Sequence, residues 1–427
     1  MLNESENQRR AAVDEARIVR TLQEIVRIPS VNPYSGDQNP SGETEALAHV
    51  EKICRELGAE ITRVPCDDKL AEEHGLLFPH GRANAGRENV IAKFVFGTGK
   101  GPSLVLDAHL DTVAAESYRG EPYSGELTSD GFILGRGASD DKSGVAVILE
   151  TIRVLRAMPE GLDGTLYCCF VTEEECDGSG RGSIACIAAL PKPDGALILD
   201  GSYGALQPGS SGILTVRIEV PGKSGHAAYG AVSAIAQALK LQPAFEKFKS
   251  LRPAEPGMLN WGVFRAGNHP ANVPDAAELG LNLRTLASDA DAAFAKYGKR
   301  SGRAVRELFE SCIAEVAASD PFMKDHPPRV TWVKDLPGEL DDGWAGEFIG
   351  LVRDAWADAV GAVPKVEALC GWGDVTHFIR KGIPSIGMGA SWPGAAHSAD
   401  EKVRVVDLVN TARAVVVIAA RFLKIKE

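Results

Sequence analysis

The chain has 427 residues, and 46 lysines and arginines face 58 aspartates and glutamates, which gives a net charge of −12 at pH 7. Hydrophobic residues make up 44% and charged residues 24%, values that exclude a wholly disordered chain. The acidic balance argues against a protein that binds nucleic acid by neutralising phosphates. The polar N-terminus lacks an apolar signal core, and no run reaches the roughly 18 apolar residues of a membrane span. We therefore expect neither a nucleic-acid partner nor a membrane.

The first half of the chain predicts an α/β layered domain. In chain order the predicted elements are helices over 5–27 and 43–57, strands over 59–64, 89–96 and 103–106, a helix over 144–158, a strand over 164–172, a helix over 183–190 and a strand over 195–199. The strand over 103–106 is continuously apolar, which is typical of a strand covered on both faces, and the strand over 164–172 is also expected to be buried. Alternating strands and helices predict a mostly parallel central sheet flanked by helices.

The pattern changes after about residue 210, where strands alternate between apolar and polar residues. The predicted elements are a strand over 213–220, a helix over 232–241, strands over 259–266 and 275–286, a helix over 289–317 and a strand over 329–333. This order is a split βαββαβ motif. The first type of pattern then resumes, with a helix over 344–360, a strand over 383–387 and a helix over 404–423. We predict a ferredoxin-like domain at 211–325, inserted between the two parts of the first domain at 1–210 and 326–427.

Polar clusters follow several of the buried strands, at the end where open α/β sheets bind ligands. His109 and Asp111 follow the strand 103–106, two residues apart, so that they point the same way. This spacing suits a metal-binding imidazole that a carboxylate orients, although a histidine beside a turn is equally ordinary. Asp140 and Asp141 lie in a glycine-rich loop before a helix. They fit a cation site or a helix N-cap; the motifs of a phosphate-binding loop are missing, and two acids disfavour phosphate.

Three consecutive glutamates, Glu173, Glu174 and Glu175, end the buried strand 164–172. Like charges at the end of a core strand repel unless a cation or raised pKa values relieve them, so these residues indicate a metal ligand or a general base. Asp200 closes the next strand, and His397 lies in a loop near the C-terminus. Alone, either fits an ordinary polar residue in water. The whole set supplies imidazoles and carboxylates, the mixture that suits Zn, Co or Mn.

The order of these motifs resembles that of the acetylornithine deacetylase, succinyl-diaminopimelate desuccinylase and carboxypeptidase family of co-catalytic metallohydrolases. The resemblance runs from Ile28-Pro29-Ser30-Val31-Asn32-Pro33 to His397-Ser398-Ala399-Asp400-Glu401. It implies two divalent metal ions, with Zn the default. His109 and Asp200 would hold one ion, Glu175 and His397 would hold the other, and Asp140 would bridge both. Asp111 would orient His109, and Glu174 would be the general base.

The inserted domain resembles the family's lid, which also forms the dimer. In Pro221-Gly222-Lys223-Ser224-Gly225-His226-Ala227, His226 matches the residue that stabilises the oxyanion from the partner subunit; it could equally be a helix cap. Asn272 and Arg284 match lid positions that contact substrate, with the arginine binding a carboxylate; Arg284 could equally form a surface salt bridge. Gly389 matches a loop that lines the pocket. The expected partners are a second copy of the chain and a small substrate with a carboxylate.

Two local alternatives stay open. The segment departs from many family members, which have an aspartate before two acids, so the base and ligand could be Glu173 and Glu174 instead of Glu174 and Glu175. Cys168 and Cys169, on the strand before these glutamates, could be soft metal ligands, although strand alternation sends them to opposite faces. Eight scattered cysteines without a CxxC pair indicate reduced thiols and a cytoplasmic protein.

We predict a metal-dependent hydrolase that cleaves a C–N bond, most simply the amide of an N-acyl amino acid or a dipeptide. One alternative is an aminohydrolase that releases ammonia from an amino-aromatic acid, since the attacking water would be the same. Another is an inactive dimeric binding protein that has kept the fold; it predicts that a metal ligand or the base is missing, whereas the chain has all of them.

Overall fold

A computed structural model describes residues 1–67, 69–70, 76–77, 87–226, 230–254, 257–341 and 346–424. Within these residues the helices are α1 Glu4–Ala11, α2 Glu15–Arg27, α3 Thr44–Glu56, α4 Lys142–Ala157, α5 Arg181–Ala189, α6 Ala234–Leu239, α7 Gln242–Ser250, α8 Ala287–Tyr297, α9 Arg303–Ser319, α10 Gly346–Val360, α11 Val375–Arg380 and α12 Val405–Phe422. The strands are β1 Glu60–Pro65, β2 Glu88–Phe96, β3 Ser103–His109, β4 Phe132–Leu134, β5 Gly164–Val171, β6 Gly195–Ile198, β7 Ala205–Leu206, β8 Gly209–Ser210, β9 Gly212–Pro221, β10 Gly225–His226, β11 Asn260–Ala266, β12 Asn272–Val273, β13 Ala276–Thr285, β14 Arg329–Leu336, β15 Glu339–Leu340, β16 Lys365–Val366, β17 Ser385–Gly387 and β18 Lys402–Arg404.

The central sheet has the strand order β1-β2-β5-β3-β6-β17. Strands β5, β3, β6 and β17 are parallel to one another, and β2 runs antiparallel to both β1 and β5. Every residue of β5 is buried, as its continuous apolar sequence predicts for a strand covered on both faces. The predicted mostly parallel sheet is confirmed.

Helices cover both faces of this sheet. Residues of α2, α3, α4, α10 and α12 form the larger core on one face, and residues of α5 and α11 pack on the other. In the longest of these helices, α12, nine of the ten residues from Thr411 to Ala420 are buried. Burial against neighbouring helices therefore explains the apolar sequence of α12. Among the described helices, none has the length and apolar character needed to span a bilayer.

The second unit, which we call the lid, is an antiparallel sheet with the order β11-β13-β9-β14, and helices α6, α7 and α9 share a core with it. This is the predicted βαββαβ arrangement. Alternate residues of β9 and β13 are buried, which matches their alternating sequence. Strand β14 belongs to this sheet although it lies beyond the boundary predicted at residue 325, and we propose that the chain returns to the first domain near residue 337.

Some predicted helices differ in their extent. The helix predicted over 5–27 is two helices, because Asp14 accepts a hydrogen bond from the Arg17 amide and starts a new helix. The helix predicted over 289–317 is also divided, because Gly298 ends α8 in the left-handed conformation at φ 71°. The predicted start of the helix 344–360 lies outside the described residues, and the helix is described from Gly346.

Candidate metal centre

Three adjacent parallel strands bring the predicted residues to one edge of the sheet. His109 is the last residue of β3, the three glutamates follow β5, and Asp200 follows β6. Parallel strands end at the same edge, so residues that are about 90 positions apart in sequence become neighbours. Asp140 arrives from the loop before α4, and His397 arrives from the loop before β18.

These residues form two groups that could each hold a metal ion and that share Asp140. The first group is His109, Asp140 and Asp200, and the second is Asp140, Glu175 and His397; within each, the possible ligand atoms all lie within 4.8 Å of one another. His109 Nε2 is 2.9 Å from Asp140 Oδ1 and 3.9 Å from Asp200 Oδ2. His397 Nε2 is 2.8 Å from Glu175 Oε1 and 3.2 Å from Asp140 Oδ2. The structure thus brings together all five predicted ligands.

The electrostatics of the cluster show an excess of negative charge. Burial and the charge of Asp140 raise the pKa of Glu175 to about 7 and that of Asp200 to about 6. Hydrogen bonds to Asp140 and Glu175 raise the pKa of His397 to about 12. Carboxyl groups that resist ionisation beside imidazoles that retain protons mark a site that attracts cations.

The donor set fits divalent transition-metal ions. Imidazole nitrogen and carboxylate oxygen are the donors that Zn²⁺ accepts, and oxygen-rich sites also take Mn²⁺ or Co²⁺. The alternative of soft thiolate ligands is wrong, because Cys168 packs in the core on one face of the sheet and Cys169 in the core on the other, both fully buried. Asp141, which could have been a ligand or a cap, caps α4 by accepting a hydrogen bond from the Gly144 amide.

The three consecutive glutamates take three different environments. Glu173 has a left-handed backbone at φ 65°, and its buried carboxylate forms an ion pair with Arg87, which also pairs with Glu43. Glu175 belongs to the second ligand group. Glu174, between them, is half-buried, and burial followed by the charge of Glu175 raises its pKa well above the usual range. The geometry therefore favours Glu174 over Glu173 as the base.

Asp111 connects His109 to the loop that contains these glutamates. Its backbone carbonyl lies 2.9 Å from His109 Nδ1, whereas its carboxylate oxygen Oδ1 is 3.6 Å away. The carboxylate accepts hydrogen bonds from the backbone amides of Glu174 and Glu175 and from the side chain of Asn32. Asp111 thus fixes both the orientation of the imidazole and the position of the glutamate loop.

Two groups of residues near the centre were not singled out from the sequence. Arg87 and Glu43 orient Glu173, and nothing in their local sequence indicates this. Glu401, with Arg136, supports the loop of Asp140. Its position four residues after His397 is the one local signal that could have suggested a role, since acidic residues near a metal-binding histidine often support the site.

The predicted lid residues His226 and Asn272 lie side by side, paired across β10 and β12. Both are exposed, and they line a cavity of about 660 Å³ together with Ser224, Asn268 and Asp275. Every residue that lines this cavity belongs to the lid. His226 and Asn272 are therefore exposed residues of the lid and belong to neither ligand group.

Of the other two predicted substrate residues, Arg284 lies close to the junction between the domains and Gly389 lies beside the loop of Asp200. Arg284 is half-buried near the end of β13, and its Nε donates a hydrogen bond to Ser211 Oγ at 2.7 Å. Gly389 is buried against the loop of Asp200, where an added Cβ would lie 2.4 Å from the Gly201 carbonyl oxygen. The absence of a side chain at residue 389 thus allows the Asp200 loop to pack closely.

The chain belongs to peptidase family M20/M25/M40, whose model matches residues 105–421. It is a metal-dependent hydrolase of amide bonds, and the predicted resemblance is confirmed. N-formyl-4-amino-5-aminomethyl-2-methylpyrimidine deformylase of Halalkalibacterium halodurans is 26% identical over 72% of this chain and 76% of its own length. Succinyl-diaminopimelate desuccinylase of Corynebacterium glutamicum is 28% identical over 76% of this chain and 82% of its own. Carboxypeptidase G2 of a Pseudomonas strain is 29% identical over 84% and 83%.

Solved structures share the fold over almost the whole chain. A tripeptidase from Staphylococcus aureus has a TM-score of 0.71 and 21% identity, covering 96% of this chain and 99% of its own. The dipeptidase Dug1p of Saccharomyces cerevisiae has a TM-score of 0.73 and 15% identity, covering 99% of both chains. These likenesses support the predicted architecture of a catalytic domain with an inserted lid.

Proposed function

We propose that this protein hydrolyses the amide bond of a small carboxylate-bearing molecule, such as an N-acyl amino acid or a dipeptide. The observation that carries this proposal is the pair of ligand groups that share Asp140, with Glu174 adjacent in sequence to the ligand Glu175. The relatives named as a desuccinylase and a carboxypeptidase favour an amide next to a carboxylate.

The proposed cofactors are two divalent ions, one at each ligand group, with Zn²⁺ the first choice and Mn²⁺ or Co²⁺ alternatives. When bound, such ions polarise the scissile carbonyl group and make water more acidic. Glu174 takes the proton of the attacking water and passes it to the leaving nitrogen. Burial raises the pKa of Glu174 well above its usual range, and a carboxylate with a raised pKa is a stronger base towards the attacking water.

The proposed recognition of substrate uses residues from both domains. Arg284 binds the substrate carboxylate, because its guanidinium group lies near the domain junction, beside Ser211, and a guanidinium group pairs well with a carboxylate. Asn272 contributes a hydrogen bond from the lid, and Gly389 shapes the pocket through the loop of Asp200. A substrate without a carboxylate should then have a higher KM with a smaller change in kcat.

We further propose a homodimer in which His226 acts on the metal centre of the partner subunit. His226 and Asn272 are exposed, so a second chain could approach them. Strand β11 is an edge strand of the lid sheet, and Phe264 on β11 and Ile235 and Leu239 on α6 are exposed apolar side chains. An unpaired edge beside apolar side chains is suited to pairing with another chain.

The first test is a substrate panel. Metal-free protein is loaded with Zn²⁺, Mn²⁺ or Co²⁺ and offered acyl amino acids, dipeptides and amino-aromatic acids, while release of carboxylic acid, free amine and ammonia is followed separately. We expect equal amounts of amine and carboxylic acid, and no turnover by Glu174→Ala. Release of ammonia alone, or activity that survives both chelation and Glu174→Ala, would contradict the proposal.

The second test addresses action between subunits. Chains with His226→Ala and chains with Glu174→Ala, each inactive alone, are mixed to form heterodimers. One site of each heterodimer then contains an intact Glu174 and an intact His226 from the other chain, so activity should return. Verified heterodimers without activity would exclude this role of His226.

A cytoplasmic location is also proposed. It is supported by the eight cysteines, all of which are free thiols, since disulfides are rare in reducing compartments. Fractionation of the source cells, with antibody detection, tests this directly.

A further inference from the structure

The carboxylate of Glu401 lies inside the loop that carries Asp140. Glu401 is almost fully buried and accepts hydrogen bonds from the backbone amides of Gly137, Ser139 and Asp140 at 3.0–3.1 Å. It also accepts a hydrogen bond from Arg136 Nη1 at 2.8 Å. Four donors from residues 136–140 thus converge on one side chain, which comes from the segment that begins with His397.

Arg136 also connects these two segments of the chain. Its side chain is fully buried, and Nη1 donates both to Glu401 Oε2 and to the Ser398 carbonyl oxygen. A further hydrogen bond runs from Ser139 Oγ to the Lys402 carbonyl oxygen at 2.7 Å. Residues 136–140, which we call the Asp140 loop, and residues 397–401, which we call the His397 segment, are therefore joined by buried polar contacts.

His397 depends on this connection more than the other ligands do. Its side chain is 55% exposed and its backbone is left-handed at φ 60°, whereas the side chain of His109 is 2% exposed. An exposed ring has few packing contacts to hold it, so the position of its backbone segment decides where its nitrogen lies. That position sets the 3.2 Å separation of His397 Nε2 and Asp140 Oδ2.

We propose that Glu401 is a positioning residue that sets the spacing of the Asp140 loop and the His397 segment, and thereby the affinity for the ion at Asp140, Glu175 and His397. The inference rests on the proposed function, because it presumes that ions bind to the two ligand groups. The group of His109, Asp140 and Asp200 contains only one of the two connected segments, so its affinity should change less.

The test replaces Glu401 with glutamine. The amide keeps the size of the side chain but offers one acceptor oxygen to four donors. A matched control is Glu150→Gln. Glu150 is also fully buried, accepts a hydrogen bond from the backbone amide of Asp14 and forms an ion pair with Arg17. It lies on α4, away from the ligand groups. Calorimetric titration of metal-free protein with Co²⁺, together with the visible absorption spectrum of bound Co²⁺, reports each ion separately.

Glu401→Gln should weaken the binding of one ion by about 10–100-fold, the usual effect of losing a residue that supports a metal ligand. Glu150→Gln should bind two ions with wild-type affinity and an unchanged spectrum, even if both variants unfold at a lower temperature. Equal Co²⁺ affinities and spectra in the wild type and Glu401→Gln would overturn the inference.

If Glu401→Gln does not fold, the variant Arg136→Lys is used for the same metal-binding test. Lysine retains the charge but cannot reach both Glu401 and Ser398 with a planar group, so the same ion should bind more weakly, and unchanged binding would overturn the inference. A wild-type protein that binds fewer than two ions would instead contradict the proposed function, so the two failures can be told apart.

Discussion

The separate environments of Glu173 and Glu174 predict opposite consequences for the same substitution. Glu174→Gln removes the proposed base from a half-buried position and leaves the ion pair of Arg87 intact. Glu173→Gln leaves the proposed base in place and removes one of the two carboxylates that pair with Arg87. The two variants therefore test which glutamate acts on the substrate and which one holds the loop.

The expected magnitudes follow from these contacts. Loss of a general base typically lowers kcat by about 10²–10⁴-fold. Breaking a buried ion pair costs about 3–5 kcal/mol, and since Arg87 keeps Glu43 we expect the lower value, about 3 kcal/mol. At roughly 2–4 °C per kcal/mol, this corresponds to a decrease of about 6–12 °C in the unfolding temperature.

The assay measures kcat at a temperature where both variants are folded, and the unfolding temperature by calorimetry. Glu174→Gln should lose activity and keep its stability, whereas Glu173→Gln should lose stability and keep kcat within about tenfold of the wild type. The reverse pattern, with Glu173→Gln inactive but stable, would show that our assignment of the base is wrong by one residue.

Three further outcomes are expected. Chelation should lower the unfolding temperature and Zn²⁺ should restore it, because an ion at 100 times its dissociation constant raises the free energy of unfolding by about 2.7 kcal/mol. An unfolding temperature that does not change on chelation would argue against bound ions. Burial and the charge of Asp111 raise the pKa of Glu43 from its ordinary 4.5 to about 7. Between pH 4.5 and about pH 7 the folded state therefore binds more protons than the unfolded state. The stability of the fold should fall as the pH rises through this range. Urea unfolding should show a smaller fall for Glu43→Gln than for the wild type. Phe264→Glu should convert the proposed dimer to a monomer in analytical ultracentrifugation, and it should lower activity if His226 acts on the partner. A variant that stays dimeric would exclude β11 as the interface.

Much of the fold could be predicted from the sequence because its signals are local. The continuous apolar residues of β3 and β5 indicate strands covered on both faces, and the alternation in β9 indicates a sheet with one exposed face. The helix breaks before Glu15 and after Tyr297 were missed, because apolar spacing continues across them. At the first break Asp14 caps the start of a new helix, and at the second the left-handed Gly298 ends a helix.

The ligands could also be proposed from sequence, since each lies directly after a predicted strand or in a loop of unusual composition. Their convergence could not be derived from spacing alone, because it depends on the order in which β5, β3 and β6 lie side by side. The same limit applies to the choice among the three glutamates, which depends on a contact between Glu173 and Arg87, 86 positions apart in sequence.

The sequence by itself therefore determined the type of domain and the chemical nature of the site, since strand periodicity and the side chains at strand ends are properties of short segments. Only the tertiary structure decided that Glu173 pairs with Arg87 while Glu175 joins a ligand group, which residues connect the Asp140 loop to the His397 segment, and that His226 is exposed. These features depend on contacts between segments up to 265 residues apart, and local sequence does not encode the distances between such segments.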